Sequence, residues 1–192
     1  MSPLIWFSMV LRLAAAGPAS PAPAPVTPAS RAFERLRTLT GDWAGTVEWS
    51  GARSEKGRMR VSYSLTGYGS VVVENLIPEG DIVPAMTSVY HLDGSDLRMT
   101  HYCGAKNQPR FKATRFEDDA ALVGFAFVDA TGLEAHPAHV SAVQLRFLPG
   151  DRLKIQFTFE GNGRSSVETI DLQRGNAGAR DRGRKPDPLR AI

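Results

Sequence analysis

From residue 42 onward the chain alternates. In Asp42–Trp49, Trp43, Val47 and Trp49 share one parity, while Asp42, Thr46 and Glu48 share the other. In Gly57–Leu65, Met59, Val61, Tyr63 and Leu65 alternate with Arg58, Arg60, Ser62 and Ser64. In Arg152–Glu160, Leu153, Ile155, Phe157 and Phe159 alternate with Lys154, Gln156, Thr158 and Glu160. A period of two sends successive side chains to opposite faces, so each segment predicts a strand with one dry and one wet face, as antiparallel sheets require. Less regular segments predict further strands at Ser70–Ile77, Met86–Leu92, Asp96–Cys103, Arg110–Glu117, Ala120–Val128, His139–Leu148 and Ser165–Gln173.

Turn-forming residues separate these segments: Gly67-Tyr68-Gly69, Pro78-Glu79-Gly80, Asp93-Gly94, Asp118-Asp119, Pro149-Gly150-Asp151 and Gly161-Asn162-Gly163. The sum is an all-β protein of about ten strands joined mostly by short hairpins. A long meander with one dry face escapes its exposed edges by closing into a barrel. A sandwich needs longer crossovers, and only Asp129–Ala138 has the length for one. Ahead of the strands, Ser30–Leu39 carries Phe33, Leu36 and Leu39 at helical spacing, with Ser30 placed to cap. It predicts one short helix in front of the barrel.

Composition changes this picture at the two ends. Leu4–Leu11 is an apolar run of signal-peptide length, too short to span a bilayer. Small residues follow, but no Lys or Arg precedes the run and Arg12 interrupts its downstream side. Residues 1–17 are expected to be an export leader, which places the protein in the periplasm or outside the cell, with the cytoplasm as the alternative. Residues 18–29 form a Pro/Ala-rich linker, 30–174 the barrel domain and 175–192 a basic, solvated tail. From Arg174 on, six basic residues face two acidic ones, a surplus of four that leaves −1 on the rest of a chain of net charge +3. A near-neutral body lacks the basic face that nucleic-acid binding requires. One cysteine allows no intramolecular disulfide, so the core must hold the fold.

An eight- to ten-stranded barrel has room inside for a ligand, and the candidate chemistry lies on the inward parities. Leu97, Met99, His101 and Cys103 share a parity, so His101 points inward beside Met99. A neutral imidazole in a semi-dry cavity can donate to one ligand atom and accept from another. Its alternative is a core histidine satisfied by the protein. His139 shares parity with Ser141, Val143, Leu145 and Phe147 and is the recruit that a Cys103/His101 metal site would need. Asn107, Gln108 and Arg110 follow a loop and can line a pocket mouth or satisfy loop carbonyls. Glu74 interrupts the apolar Val71–Leu76 run. It either faces solvent or sits in the cavity as a partner for Arg110 or His101. With Tyr90 on the neighbouring strand, the candidate ligand-binding set is Met99, His101, Cys103, Glu74, Tyr90, Asn107, Gln108, Arg110 and His139. No nucleophile elbow, zinc-protease motif, Walker loop or dinucleotide fingerprint is present, so no catalytic residue stands out.

Two segments resemble known proteins. Leu39-Thr40-Gly41-Asp42-Trp43-Ala44-Gly45 is similar to the G-x-W opening of lipocalin-like barrels, in which Trp43 would plug one end. Tyr90-His91-Leu92-Asp93-Gly94, Thr100-His101-Tyr102-Cys103 and Asn107-Gln108-Pro109-Arg110 resemble a group of bacterial calycin-like β-barrel proteins. The resemblance covers roughly Phe33 to Arg174 and implies a cup holding a small hydrophobic or amphiphilic molecule, without catalysis. An enzyme using His101 as acid/base is the alternative. The haem-binding nitrobindins are more distantly similar. The last strand, Ser165–Gln173, has no histidine to serve as an axial ligand, which leaves His139 or His101 for any haem. No cofactor is otherwise expected.

Overall fold

The structure, a computed structural model, describes residues 25–175. The expected leader, the linker up to residue 24 and the basic tail from residue 176 lie outside the described residues. The expected helix is present but starts earlier, as α1 (Pro28–Arg37). Thr27, not Ser30, is its N-cap. The Ser30 amide donates to Thr27 Oγ1 at 3.1 Å and the Thr27 amide to Ser30 Oγ at 2.8 Å. This reciprocal pair satisfies two amides, and Pro28 occupies a first-turn position where its missing N–H costs nothing.

Ten strands follow: β1 (Gly41–Gly51), β2 (Lys56–Thr66), β3 (Val71–Pro78), β4 (Met86–Asp93), β5 (Asp96–Tyr102), β6 (Gln108–Glu117), β7 (Leu122–Thr131), β8 (His139–Leu148), β9 (Arg152–Gly161) and β10 (Arg164–Arg174). Each pairs antiparallel with the next. β10 then pairs with β1, from Trp43↔Arg174 to Gly51↔Ser166, so the meander is a closed barrel with no free edge. The hairpins close as their residues require. Asn162 (φ 52°) and Gly163 (φ 70°) both take positive φ between paired Gly161 and Arg164. Gly94 (φ 59°) opens the two-residue loop between paired Asp93 and Asp96.

An up-and-down barrel gathers alternate connections at opposite ends. At one end α1 packs on β4, β5 and β6, burying Phe33 and Leu36, with Leu39 buried just beyond its last turn. Trp43, buried there, donates from Nε1 to the Leu39 carbonyl at 2.7 Å, and the Arg174 guanidinium lies 4.4 Å from its ring centre. That end is shut. Among the described residues no helix is long and apolar enough to cross a membrane.

At the other end the wall is looser. Pro109 has no N–H to give to β5, and the β5–β6 ladder runs only from Arg98↔Lys112 to Thr100↔Arg110. In β8 the register shifts between Val140 and Ala142. The extra residue reverses the parity ahead of it, so Val140, rather than His139, joins Val143 and Leu145 in the core.

Candidate functional site

Two buried carboxylates define two polar layers inside the barrel. The deeper is a row across four strands, fixed by register: Tyr63 faces Glu74, Glu74 faces Ser88, and Ser88 faces His101. Tyr63 Oη donates to Glu74 Oε1 in a short hydrogen bond, Tyr90 Oη donates to Oε2 at 2.9 Å, and Ser88 stands opposite on β4. Burial raises the Glu74 pKa, and these hydroxyls hold it back. Burial, with Glu74 beside them, pushes both tyrosines well above their ordinary range. Ser88 Oγ lies 3.0 Å from His101 Nδ1, and the imidazole packs on Phe157 with ring centres 5.1 Å apart. His101 is fully buried, its Nε2 has no partner among the described residues, and desolvation lowers its pKa to about 4. The imidazole is therefore neutral at ordinary pH.

The second layer borders the open end. There a cavity of about 650 Å³ opens between the β1–β2, β3–β4, β5–β6 and β9–β10 connections, a size typical of small-molecule sites. Its inner wall comprises Val47, Trp49, Met59, Met86, Cys103 and Phe159, with Ser166 and Glu168 as the buried polar groups. Trp49 and Phe159 pack at 4.9 Å between ring centres, and the Arg53 guanidinium lies 3.8 Å from the centre of the Trp49 ring. Arg53 is tied down by its amide to Ser166 Oγ at 3.2 Å and by its guanidinium to Glu55 at 2.9 Å. Glu168 is 3% exposed and faces Phe157 and Trp49 on the adjoining strands. Its Oε2 has no partner among the described residues. Burial raises its pKa to about 7, against a smaller opposing pull from Arg53.

The structure brings some of the expected residues together and separates others. Glu74, Tyr90 and His101 share the deep layer, and Met99 is buried in the core with them. Cys103 alone of the set borders the cavity, its thiol pushed up chiefly by burial. Asn107 is buried but engaged. Its Nδ2 donates to the carbonyls of His136 and Ala138, both at 2.7 Å, clamping the β7–β8 connection. Gln108 pairs with Thr131. Arg110 faces outward, 2.6 Å from Asp129, and does not partner Glu74, because β6 places it on the wet face. His139 lies beyond the β8 bulge, bonded through Nδ1 to the Pro137 carbonyl at 2.8 Å and packed on Phe127. It does not meet His101 or Cys103. Neither histidine borders the cavity, so neither fits as an iron ligand for a group held there. Among the described residues no three His, Cys, Asp or Glu side chains converge as a metal site.

Sequence reasoning passed over Ser88 and, above all, Glu168. The signal for Glu168 was present, since Ser166, Glu168, Ile170 and Leu172 share one parity of β10 and all are buried.

No family model matches the chain, and no curated protein matches it by sequence. Among solved structures, Rv2717c from M. tuberculosis is 16% identical with a TM-score of 0.49, covering 76% of this chain and 98% of its own. A redesigned β-barrel is 12% identical at a TM-score of 0.36, covering 76% and 96%. The isotype 1 transferrin binding protein B of serogroup B Neisseria meningitidis is 10% identical at 0.34, covering 71% of this chain and 26% of that one. The neighbours are barrel proteins. At these values they carry no argument about function.

Proposed function

We propose that the protein binds a small amphiphilic molecule, without transforming it, in the cavity at the open end of the barrel. One observation carries the reading: a cavity of about 650 Å³ walled by Val47, Trp49, Met59, Met86 and Phe159 is also bordered by Glu168, a buried carboxyl whose Oε2 has no partner among the described residues. A largely apolar wall with few polar groups is the ordinary design of a small-molecule site. His101, the acid/base the sequence offered, is not placed to act on a molecule held in the cavity. General acid–base chemistry needs a group within hydrogen-bond reach of the reacting atom. The imidazole of His101 is enclosed in the deeper layer, against Phe157 and Ser88.

The test is titration with the uncharged fluorophore N-phenyl-1-naphthylamine. The expected result is a saturable rise in probe emission, weakened in Met59→Trp, which narrows the cavity, and in Trp49→Ala, which removes its aromatic wall. Emission that never saturates, or that both variants leave unchanged while they stay folded by circular dichroism, overturns the reading.

A further inference from the structure

Glu168 is a costly residue to keep where it stands. It is 3% exposed on the apolar parity of β10, and Oε2 finds no hydrogen bond among the described residues. A buried carboxylate without partners loses its hydration and gains nothing in return. Glu74 shows how this barrel treats a carboxyl that serves the fold, with the hydroxyls of Tyr63 and Tyr90 both donating to it. Glu168 receives no comparable set, and it borders the cavity.

The groups facing Glu168 narrow what could satisfy it. From β9 and β1 come the hydrocarbon faces of Phe157 and Trp49. From across the cavity comes the Cys103 thiol, which burial keeps protonated. The nearest cation is Arg53, but its guanidinium is already engaged by Glu55 and stacked at Trp49. At the rim, Lys56 pairs with Glu48 at 3.0 Å and Arg58 with Glu79 at 3.3 Å, while Glu160 and Arg164 complete the charged edge. An anionic head group therefore meets a rim where Lys56, Arg58 and Arg53 are already paired and only Arg164 has no ion pair among the described residues, and a bare carboxyl within. A protonated amine meets the reverse, an acceptor with no donor and an aromatic wall that attracts cations.

We propose that the ligand is a hydrophobic amine, its apolar body against Trp49, Met59 and Phe159 and its nitrogen donating to Glu168. This rests on the binding reading above and deepens it. The empty-cavity carboxyl titrates near neutrality, at about 7, so the incoming ammonium holds it ionised and the pair forms as a buried ion pair. No covalent step is involved.

The experiment uses the full chain and three probes of one tail length, decylamine, 1-decanol and decanoate, each displacing N-phenyl-1-naphthylamine at about pH 8, where both the amine and Glu168 are charged. The expected order is amine first, alcohol second and decanoate last. Glu168→Gln should weaken decylamine by about tenfold or more, the scale of a charge-assisted hydrogen bond, and change 1-decanol by less than about threefold. Decylamine binding to the wild type should fall toward about pH 5 as Glu168 protonates, and the variant should show no such fall. If decylamine and 1-decanol bind alike and Glu168→Gln alters neither, the amine reading is overturned and the cavity stands. Decanoate in first place overturns it as well. If the fluorophore itself never binds, both this inference and the binding reading fall.

Discussion

Glu74 and Glu168 sit on inward faces of β3 and β10, each among apolar neighbours, each nearly or fully buried, each with a carboxyl pushed up by loss of water. Around Glu74 two tyrosine hydroxyls replace the lost hydration, one on each oxygen, and the row from Tyr63 to His101 ties β2, β3, β4 and β5 together. Around Glu168, which borders the cavity, one buried oxygen has no partner among the described residues. The same chemical group, buried in both places, is a cross-link in one layer and an open valence in the other. Burial alone does not tell a structural acid from a functional one. The count of its partners does.

The largest test of this contrast is Glu74→Ala. It strands the Tyr63 and Tyr90 hydroxyls in the core and leaves a void, so the expected loss is about 3–5 kcal/mol. Urea unfolding should show the midpoint falling at unchanged slope. A loss no greater than that of Glu168→Ala would erase the distinction.

Next is the pH dependence, in which the two layers pull in opposite directions. For Glu168 the folded pKa, about 7, is raised above the unfolded carboxyl value. Its favourable contribution is therefore complete below about pH 4.5 and is lost as pH rises through about 7. Glu168→Gln removes that loss, so the variant should gain on the wild type across this window, by about 3 kcal/mol at most. For His101 the folded pKa, about 4, lies below the ordinary imidazole value. Its contribution is present above about pH 6.5 and is lost as pH falls through about 4. His101→Gln should flatten the acid side alone. Urea midpoints at several pH values for the wild type and both variants separate the two; parallel curves would refute both assignments.

A smaller effect is expected from Tyr63→Phe, which removes one of the donors to Glu74 and keeps the ring against Trp43. The expected loss is about 1–2 kcal/mol, read in the same unfolding experiment, with fluorophore binding unchanged. Smallest of all is Arg110→Ala. Its ion pair with Asp129 is half-exposed on the outer face, so neither the unfolding midpoint nor ligand binding should move. A clear drop in binding would return Arg110 to the site.

Sequence alone was enough for the architecture, because both of its signals are local. Alternation in Met59–Leu65 or Leu153–Phe159 assigns faces without reference to any other segment, and Asn162-Gly163 and Gly94 set hairpins by backbone geometry. Even one piece of the polar row was legible. The two-residue loop that pairs Asp93 with Asp96 already places Ser88 opposite His101. Tertiary structure decided what parity cannot express. Parity separates inside from outside but says nothing of height along the barrel axis. It therefore did not distinguish His101, sealed in the deep layer, from Cys103, two residues on and bordering the cavity. Parity also fails across a bulge, and one extra residue in β8 carried His139 away from the interior. The bare oxygen of Glu168 emerged only from the three-dimensional arrangement, because the partners a buried group lacks are set by the whole surrounding wall.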